Sequence, residues 1–192
     1  MNQFILGYLF YFICMYIIYT FSEYYLHKYV MHNPNNSVGK RHITHHKSTN
    51  KDMTLNTNDE DYKIILPSEN LFLDDWLTIL MIFSISCITV YSFYKYYPIE
   101  LNVKILIFIS AFFASFEILI WNSVHSYMHG RDGYEMGYFS LKQNITSYLI
   151  DNFSYFKWII NNHIKHHNVK GDKKGNFNIV FPGADFLLNT YN

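Results

Sequence analysis

Three long apolar runs most constrain how this chain can fold. They cover residues 4–21, 76–94 and 101–121, and each approaches the ~20 residues with which a helix crosses the hydrocarbon core of a bilayer. Lipid offers the backbone no hydrogen bonds, and a helix satisfies its backbone groups within one segment. The runs therefore predict an all-α fold of polytopic membrane helices, with about three spans in a single domain over residues 1–192.

The first run is interpreted as a span rather than as a secretory signal peptide. No basic residue precedes it, no small-x-small cleavage site follows it, and it is rich in aromatic residues. Two short apolar stretches within residues 64–73 are candidates for a dip into the membrane. Such a dip would bring the number of membrane elements to four.

Charge and cysteine content exclude other classes of protein. The formal net charge is zero, so we expect no nucleic acid partner. The two cysteines, Cys14 and Cys87, form no Cys-x-x-Cys motif, which disfavours a disulfide framework and a thiolate metal site. Because both lie inside apolar runs, we expect them to be buried packing residues.

All ten histidines fall into four clusters, which lie in the segments that follow the first and third runs. Pairs occupy 27–32 and 125–129, and triplets occupy 42–46 and 163–167. Histidine is the commonest metal ligand, and imidazole suits iron, zinc, copper and nickel. The candidate ligands are His27, His32, His42, His45, His46, His125, His129, His163, His166 and His167.

The spacing within the clusters indicates how they are arranged. Residues three and four apart share a helix face, so each triplet and the pair His125 and His129 can converge. His27 and His32 are five apart and diverge on a regular helix, so we expect them to straddle a helix end or to serve different metals. Zinc accepts about four ligands and octahedral metals about six, so two metal ions are the economical count.

The same clusters argue against two known kinds of metal protein. They contain no carboxylate, unlike the Glu-x-x-His sites of soluble di-iron bundles, and no His-Glu-x-x-His motif of a zinc peptidase. A redox-active metal pair beside a bilayer can activate dioxygen toward a lipid tail. The alternative is a histidine-rich metal-binding or transport protein without catalysis, which predicts ionisable residues within the spans; only Glu117 qualifies.

Three spans place both histidine-bearing segments on the same side of the membrane. These segments also carry many basic residues, such as Lys40, Arg41 and Lys47 in one and Lys157 and Lys165 in the other. The positive-inside tendency then predicts that a helical cap carrying the histidines faces the cytosol. We expect an integral, multi-pass protein, which would lie in the endoplasmic reticulum if it is expressed in a eukaryotic cell.

The segment between the last pair and the last triplet is too polar to span. We expect one or two interfacial helices over 138–158 and, beyond residue 171, a tail of turns with a short final helix.

The order and spacing of the clusters resemble the histidine boxes of the fatty acid hydroxylase/sterol desaturase superfamily of integral-membrane di-metal oxygenases. Residues 23–32 resemble the first box with its preceding acidic residue, and 40–46 resemble the second. Residues 156–167, followed by 176–178 and 184–186, resemble the last box and its tail. The resemblance covers about residues 23–190.

The resemblance implies dioxygen-dependent oxidation of a C–H bond on a membrane lipid by two metal ions. Iron is expected, although zinc fits the same imidazoles in a purified sample. A hydroxylase acting on a fatty acyl chain or a sterol is the first expectation; a desaturase or a carotenoid hydroxylase is the alternative. Electrons are expected from a separate donor such as cytochrome b5 with its reductase.

The resemblance also assigns roles to residues by position. All ten histidines match box histidines and would be metal ligands. Glu23 and Asp185 would either pair with the other ring nitrogen of a metal-bound histidine, as such histidines need, or have a structural role. The alternative for Glu23 is a surface ion pair with Lys28.

Overall fold

The computed structural model describes residues 3–56, 76–169 and 174–192, with the side chains of 76–78 left out. Within these ranges the chain is helical, with one isolated β-bridge between Thr49 and Leu55, which confirms the all-α prediction. The helices are α1 (Gln3–Tyr25) with a π-helical turn (Leu26–Met31), α2 (Ser37–Ser48), α3 (Trp76–Tyr96), α4 (Val103–Ile120) with a π-helical turn (Trp121–His125) and the short α5 (Ser126–Met128), α6 (Gln143–Asn152), α7 (Ser154–Asn168) and α8 (Ala184–Leu187).

Three helical segments in the described part of the chain are long and apolar enough to cross a membrane: Gln3–Met31, Ile79–Tyr96 and Val103–Met128. They match the three predicted runs. The expected dip at 64–73 lies outside the described residues. The first and third segments continue past the predicted ends at 21 and 121, so each carries the first histidine of its pair, and the second is the residue that directly follows the helix.

The spans bury few of their own apolar side chains within the protein. Large side chains such as Phe4 on α1, Phe83 on α3 and Phe108 on α4 are exposed. The expectation that both cysteines are buried is wrong for Cys87, which is exposed, while Cys14 is half-buried. An apolar context does not imply burial here, because the outer face of a membrane helix contacts lipid rather than protein.

Helices α1 and α4 run in the same direction. Gly7 lies against Leu101 near the start of both, since an added Cβ would come within 2.9 Å of a Leu101 methyl carbon. Near their other ends the rings of His27 and Trp121 lie 6.2 Å apart. Both histidine pairs therefore reach the same end of the bundle, as the three-span topology predicts.

Helix α3 runs opposite to α1 and forms a hairpin with α4. Tyr11 on α1 packs edge-on against Phe93, with ring centroids 4.7 Å apart, and Tyr19 shares a 2.9 Å hydrogen bond with Ser86. Asn102 then caps the start of α4 by accepting from the backbone N–H of Lys104. The short link between α3 and α4 thus returns the chain to the histidine end.

One or two helices were predicted over 138–158; the structure has two, of which the second continues to Asn168, and the short final helix is also present. Helices α6 and α7 occupy Gln143–Asn152 and Ser154–Asn168, and α8 closes the tail. The tail is fastened to α1, where the Thr20 hydroxyl donates to the carbonyl of Phe181 and accepts from the backbone N–H of Ala184. Tyr155 on α7 donates to the Val180 carbonyl. The tail therefore lies between α1 and α7.

Candidate metal centre

The histidines gather in two groups, in each of which the candidate ligand nitrogens all lie within 4.8 Å of one another. The first group is His27, His32, His42, His46 and His166, and the second is His45, His125, His129 and His163. His167 lies beside the second group, with its Nε2 3.0 Å from Nε2 of His163, and its ring centroid is 4.0 Å from that of His46. The structure thus brings together all ten predicted residues.

Each triplet divides its histidines between the two groups. On α2, His42 and His46 join the first group while His45 joins the second; on α7, His163 joins the second group and His166 the first. The expectation that a whole triplet converges on one point is therefore wrong. Residues i+3 and i+4 point about 100° apart around a helix, so adjacent sites on either side can use both. Neither triplet builds a site alone.

The π-helical turn overturns the expected divergence of His27 and His32. The backbone N–H of His32 donates to the carbonyl of His27 at 3.2 Å, an i to i+5 hydrogen bond that stacks these two positions. Their rings lie 5.2 Å apart and 19° from parallel. His32 does lie at the end of the turn, but both residues belong to the same group rather than to different metals.

Backbone carbonyls fix the protonation of three rings. Nδ1 of His27 lies 2.7 Å from the carbonyl of Phe177, Nδ1 of His129 lies 2.6 Å from that of Met53, and Nδ1 of His166 lies 2.8 Å from that of Gly175. A carbonyl only accepts, so each Nδ1 carries the proton and each Nε2 keeps its lone pair. This is the arrangement that presents Nε2 to a metal.

The spacing of nitrogens in the first group fits a coordination sphere. Nε2 of His42 lies 3.1 Å from Nε2 of His27 and 3.1 Å from that of His46. Nε2 of His166 lies 3.0 Å from that of His32 and 3.2 Å from that of His46. Metal–nitrogen bonds of ~2.0–2.1 Å place neighbouring ligands about 2.9–3.4 Å apart. The first group therefore fits a metal ion.

Buried nitrogens without hydrogen-bond partners mark the second group. Among the described residues these are both ring nitrogens of His125, Nε2 of His129 and Nδ1 of His163. Leaving a buried polar atom unpaired costs about 1–3 kcal/mol. Because each ring offers one nitrogen to a metal ion, these atoms supply up to three buried donors in one place, which fits a metal site.

Burial keeps the ligands outside the spans in their metal-binding form. It lowers the pKa of His129 to about 4, with the Met53 carbonyl acting in the opposite direction. Burial, followed by the charge of neighbouring histidines, holds the pKa of His42, His45 and His163 well below the usual range. Neutral imidazole binds metal without first losing a proton.

Glu23 is buried but holds the tail rather than a histidine ring. Its carboxylate accepts from the backbone N–H groups of Ile179 at 2.9 Å, Val180 at 2.6 Å and Phe181 at 2.9 Å. The alternative of a surface pair with Lys28 is wrong, because that ammonium donates to a tyrosine hydroxyl instead. Glu23 supports His27 indirectly, since the tail that it holds supplies the Phe177 carbonyl.

Asp185 also acts within the tail. It accepts from the backbone N–H of Asn178 at 2.6 Å and from the Thr190 hydroxyl at 2.7 Å. The Asn178 side chain joins the two carboxylate sites: it accepts from the backbone N–H of Asp185 and donates toward Glu23. Sequence reasoning assigned Asn178 no role of its own and missed the carbonyl partners, for which residue type gives no signal.

Trp121 separates the two groups from the interior of the bundle. Its ring stacks on His125 at 4.9 Å and 16°, and it meets His27 edge-on. Near this end, a small cavity is lined by Glu117, Tyr19 and Leu26, among others. The described spans contain two buried carboxyls, Glu117 and Glu23, and both lie near the histidine end rather than along the length of the bundle.

Comparison with family models, with curated proteins and with solved structures finds no match to this chain.

Proposed function

We propose that this protein is a dioxygen-dependent lipid hydroxylase of the membrane, whose ten histidines hold two metal ions, with iron as the native metal. The observation that carries the proposal is the pair of interlocked, all-histidine groups at one end of a three-helix bundle with apolar outer faces. The resemblance of the histidine boxes to the fatty acid hydroxylase/sterol desaturase superfamily supports the same reaction.

The number of donors favours catalytic over structural metals. Structural zinc sites are closed by about four ligands. With His167 counted in the second group, five nitrogen donors for each metal would leave one position of an octahedral sphere for another molecule. Bound iron would supply the electron transfer that activates dioxygen. The chain's own part is to orient the imidazoles through backbone carbonyls and to shield the centre with Trp121.

The reaction balances with an external reductant. One oxygen atom enters the C–H bond to give an alcohol, and the other leaves as water after two electrons and two protons are supplied. We propose a one-electron carrier such as cytochrome b5 with its reductase as the source, with the histidines facing the cytosol. Desaturation uses the same electrons and protons but removes two hydrogens and releases two waters, so product structure separates the two reactions.

An apolar groove supports a substrate that resides in the membrane. It has a volume of about 510 Å³ and lies between α3 and α4, from Tyr94 and Val103 at one end to Ile79 and Ile118 at the other. The second end is the one nearer the histidines. Small side chains on α4, such as Ala111, leave room for a hydrocarbon chain.

Lipid mass spectrometry on cells that express the protein tests the proposal, with His45→Ala as the control. Under isotopically heavy dioxygen, we expect a lipid found only with the intact protein that carries one heavy oxygen atom. An unsaturated product without heavy oxygen identifies the desaturase alternative. If acyl, sterol and carotenoid classes all lack a specific oxidised lipid while the purified protein binds metal, the non-catalytic metal binder is supported instead.

A further inference from the structure

A basic pocket opens directly beside the histidine groups. It has a volume of about 570 Å³ and lies where the ends of α2 and α7 meet the segment that begins at Lys174. Its walls include three histidines of the centre and three lysines: His32, His46, His167, Lys47, Lys51 and Lys174. An occupant of this pocket is therefore in direct reach of the metal ligands.

The charge of the pocket is not balanced by the residues that form it. Among the described residues, no carboxylate lines it, and none of Lys47, Lys51 and Lys174 makes an ion pair or a hydrogen bond with another of them. Lys174 is half-buried and so cannot rely fully on water to screen its charge. Three ammonium groups around one concavity fit an anion, which gains charge-assisted hydrogen bonds from each.

The shape of the pocket favours a small anionic group over an acidic protein. Its volume lies within the ~300–1,000 Å³ typical of small-molecule sites. A stable protein interface needs about 800 Å² on each partner, which a concavity walled partly by metal ligands does not offer.

We infer that this pocket binds the anionic head group, a phosphate or a carboxylate, of the lipid on which the metal centre acts. This inference rests on the proposed function and makes it more specific. It assigns the substrate to the charged lipids. It disfavours sterols and carotenoids, because these have no anionic group that three lysines could bind.

Binding of matched lipids to the metal-loaded full chain in neutral detergent tests the inference. Phosphatidic acid and diacylglycerol share their tails and differ by the phosphate, and inorganic phosphate is the probe without a tail. We expect native mass spectrometry to show phosphatidic acid bound in preference to diacylglycerol, and inorganic phosphate to compete only weakly. Equal binding of the two lipids, or binding of inorganic phosphate alone, would overturn the assignment to a lipid.

Lysine substitutions locate the binding. Lys174→Gln, Lys47→Gln and Lys51→Gln should each weaken binding of phosphatidic acid about tenfold, the effect of losing one charge-assisted hydrogen bond. Lys40→Gln is the matched control, because Lys40 is exposed on α2 outside the pocket. Unchanged lipid binding in all three variants overturns the inference. The inference is also overturned if the three variants lose only their association with an acidic carrier protein and still bind the lipid.

The outcome is separable from that of the hydroxylase proposal. Metal content of each variant shows that the centre is intact, and binding is measured without turnover. If the protein binds phosphatidic acid through these lysines but oxidises no lipid, the inference about the pocket stands and the proposed hydroxylase function is contradicted. If the protein oxidises only uncharged lipids, the proposed hydroxylase function stands and the inference about the pocket is contradicted.

Discussion

The candidate metal ligands are held in place mainly by backbone groups of single residues. The histidines were predictable because imidazole is rare, clustered and chemically distinctive. Their partners were not, since carbonyls such as those of Phe177 and Met53 exist at every position and only the fold selects them. Glu23 was predicted to have a role because it precedes the first histidine box. That it binds the tail could not be predicted, because its hydrogen-bond partners are more than 150 residues away in sequence.

Replacing Glu23 by glutamine tests this support. The amide has one acceptor oxygen, so its NH2 group faces either the backbone N–H groups of Ile179 and Val180 or that of Phe181. We expect a loss of about 1–3 kcal/mol in the free energy of unfolding, as for charged hydrogen bonds in general. Thermal unfolding in detergent measures it, together with metal content.

Glu100→Gln is the control for that change, because Glu100 is exposed in the link between α3 and α4. If both variants unfold at the temperature of the parent protein, the tail does not depend on the Glu23 carboxylate.

At the scale of elements, the three apolar runs predicted the spans, but not where the helices end. The histidine pairs are less apolar than the runs before them, so hydropathy places them outside helices that in fact continue through π-helical turns. An i to i+5 hydrogen bond leaves no mark on a hydrophobic pattern. For the same reason the grouping of His27 with His32 could not be read from their spacing.

The division of each triplet between two groups predicts an unusual pattern of metal loss. His45→Ala with His163→Ala removes two ligands of the second group from different helices, and the first group should keep about one metal per chain. His45→Ala with His46→Ala removes one ligand from each group on the same helix and should leave less metal than the first combination. Metal analysis after gentle purification distinguishes them, and the reverse order indicates one metal site for each triplet.

Close packing of α2 against the first π-helical turn makes a second prediction at this scale. A Cβ on Gly39 would lie 1.9 Å from the carbonyl oxygen of Asn33, a distance that backbone atoms cannot accept. Gly39→Ala should therefore destabilise the protein by about 3 kcal/mol or more and reduce its metal content. The neighbouring Lys40→Ala, on the exposed side of α2, is the control; equal stability and metal content in the two variants would show that α2 does not pack as described.

For the whole molecule, the most useful sequence argument was topological. An even number of spans between the first and second halves of the histidine set places both at the same end, and the parallel course of α1 and α4 bears this out. Which membrane face that end occupies depends on charge and on insertion rather than on packing, so the fold alone leaves the cytosolic placement as a prediction.

Glycosylation in a eukaryotic host tests that placement. Three sequons begin at Asn35, Asn144 and Asn152. If the histidines face the cytosol, none should receive a glycan, and digestion with a glycosidase should not change the mobility of the protein. A glycosylation tag fused ahead of Met1 is the positive control, because it lies on the opposite face; glycan on a native sequon would reverse the orientation.

Because α2 and α7 each contribute histidines to both groups, the order in which the ribosome makes these helices determines when each group can be completed. When the ribosome has produced only the first 56 residues, the chain holds four donors of the first group and lacks His166. The second group has a single donor, His45, at that stage. Each group therefore gains its full set of candidate ligands only when α7 has been made and packed, and a chain that stalls before α4 lacks three of the four histidines of the second group.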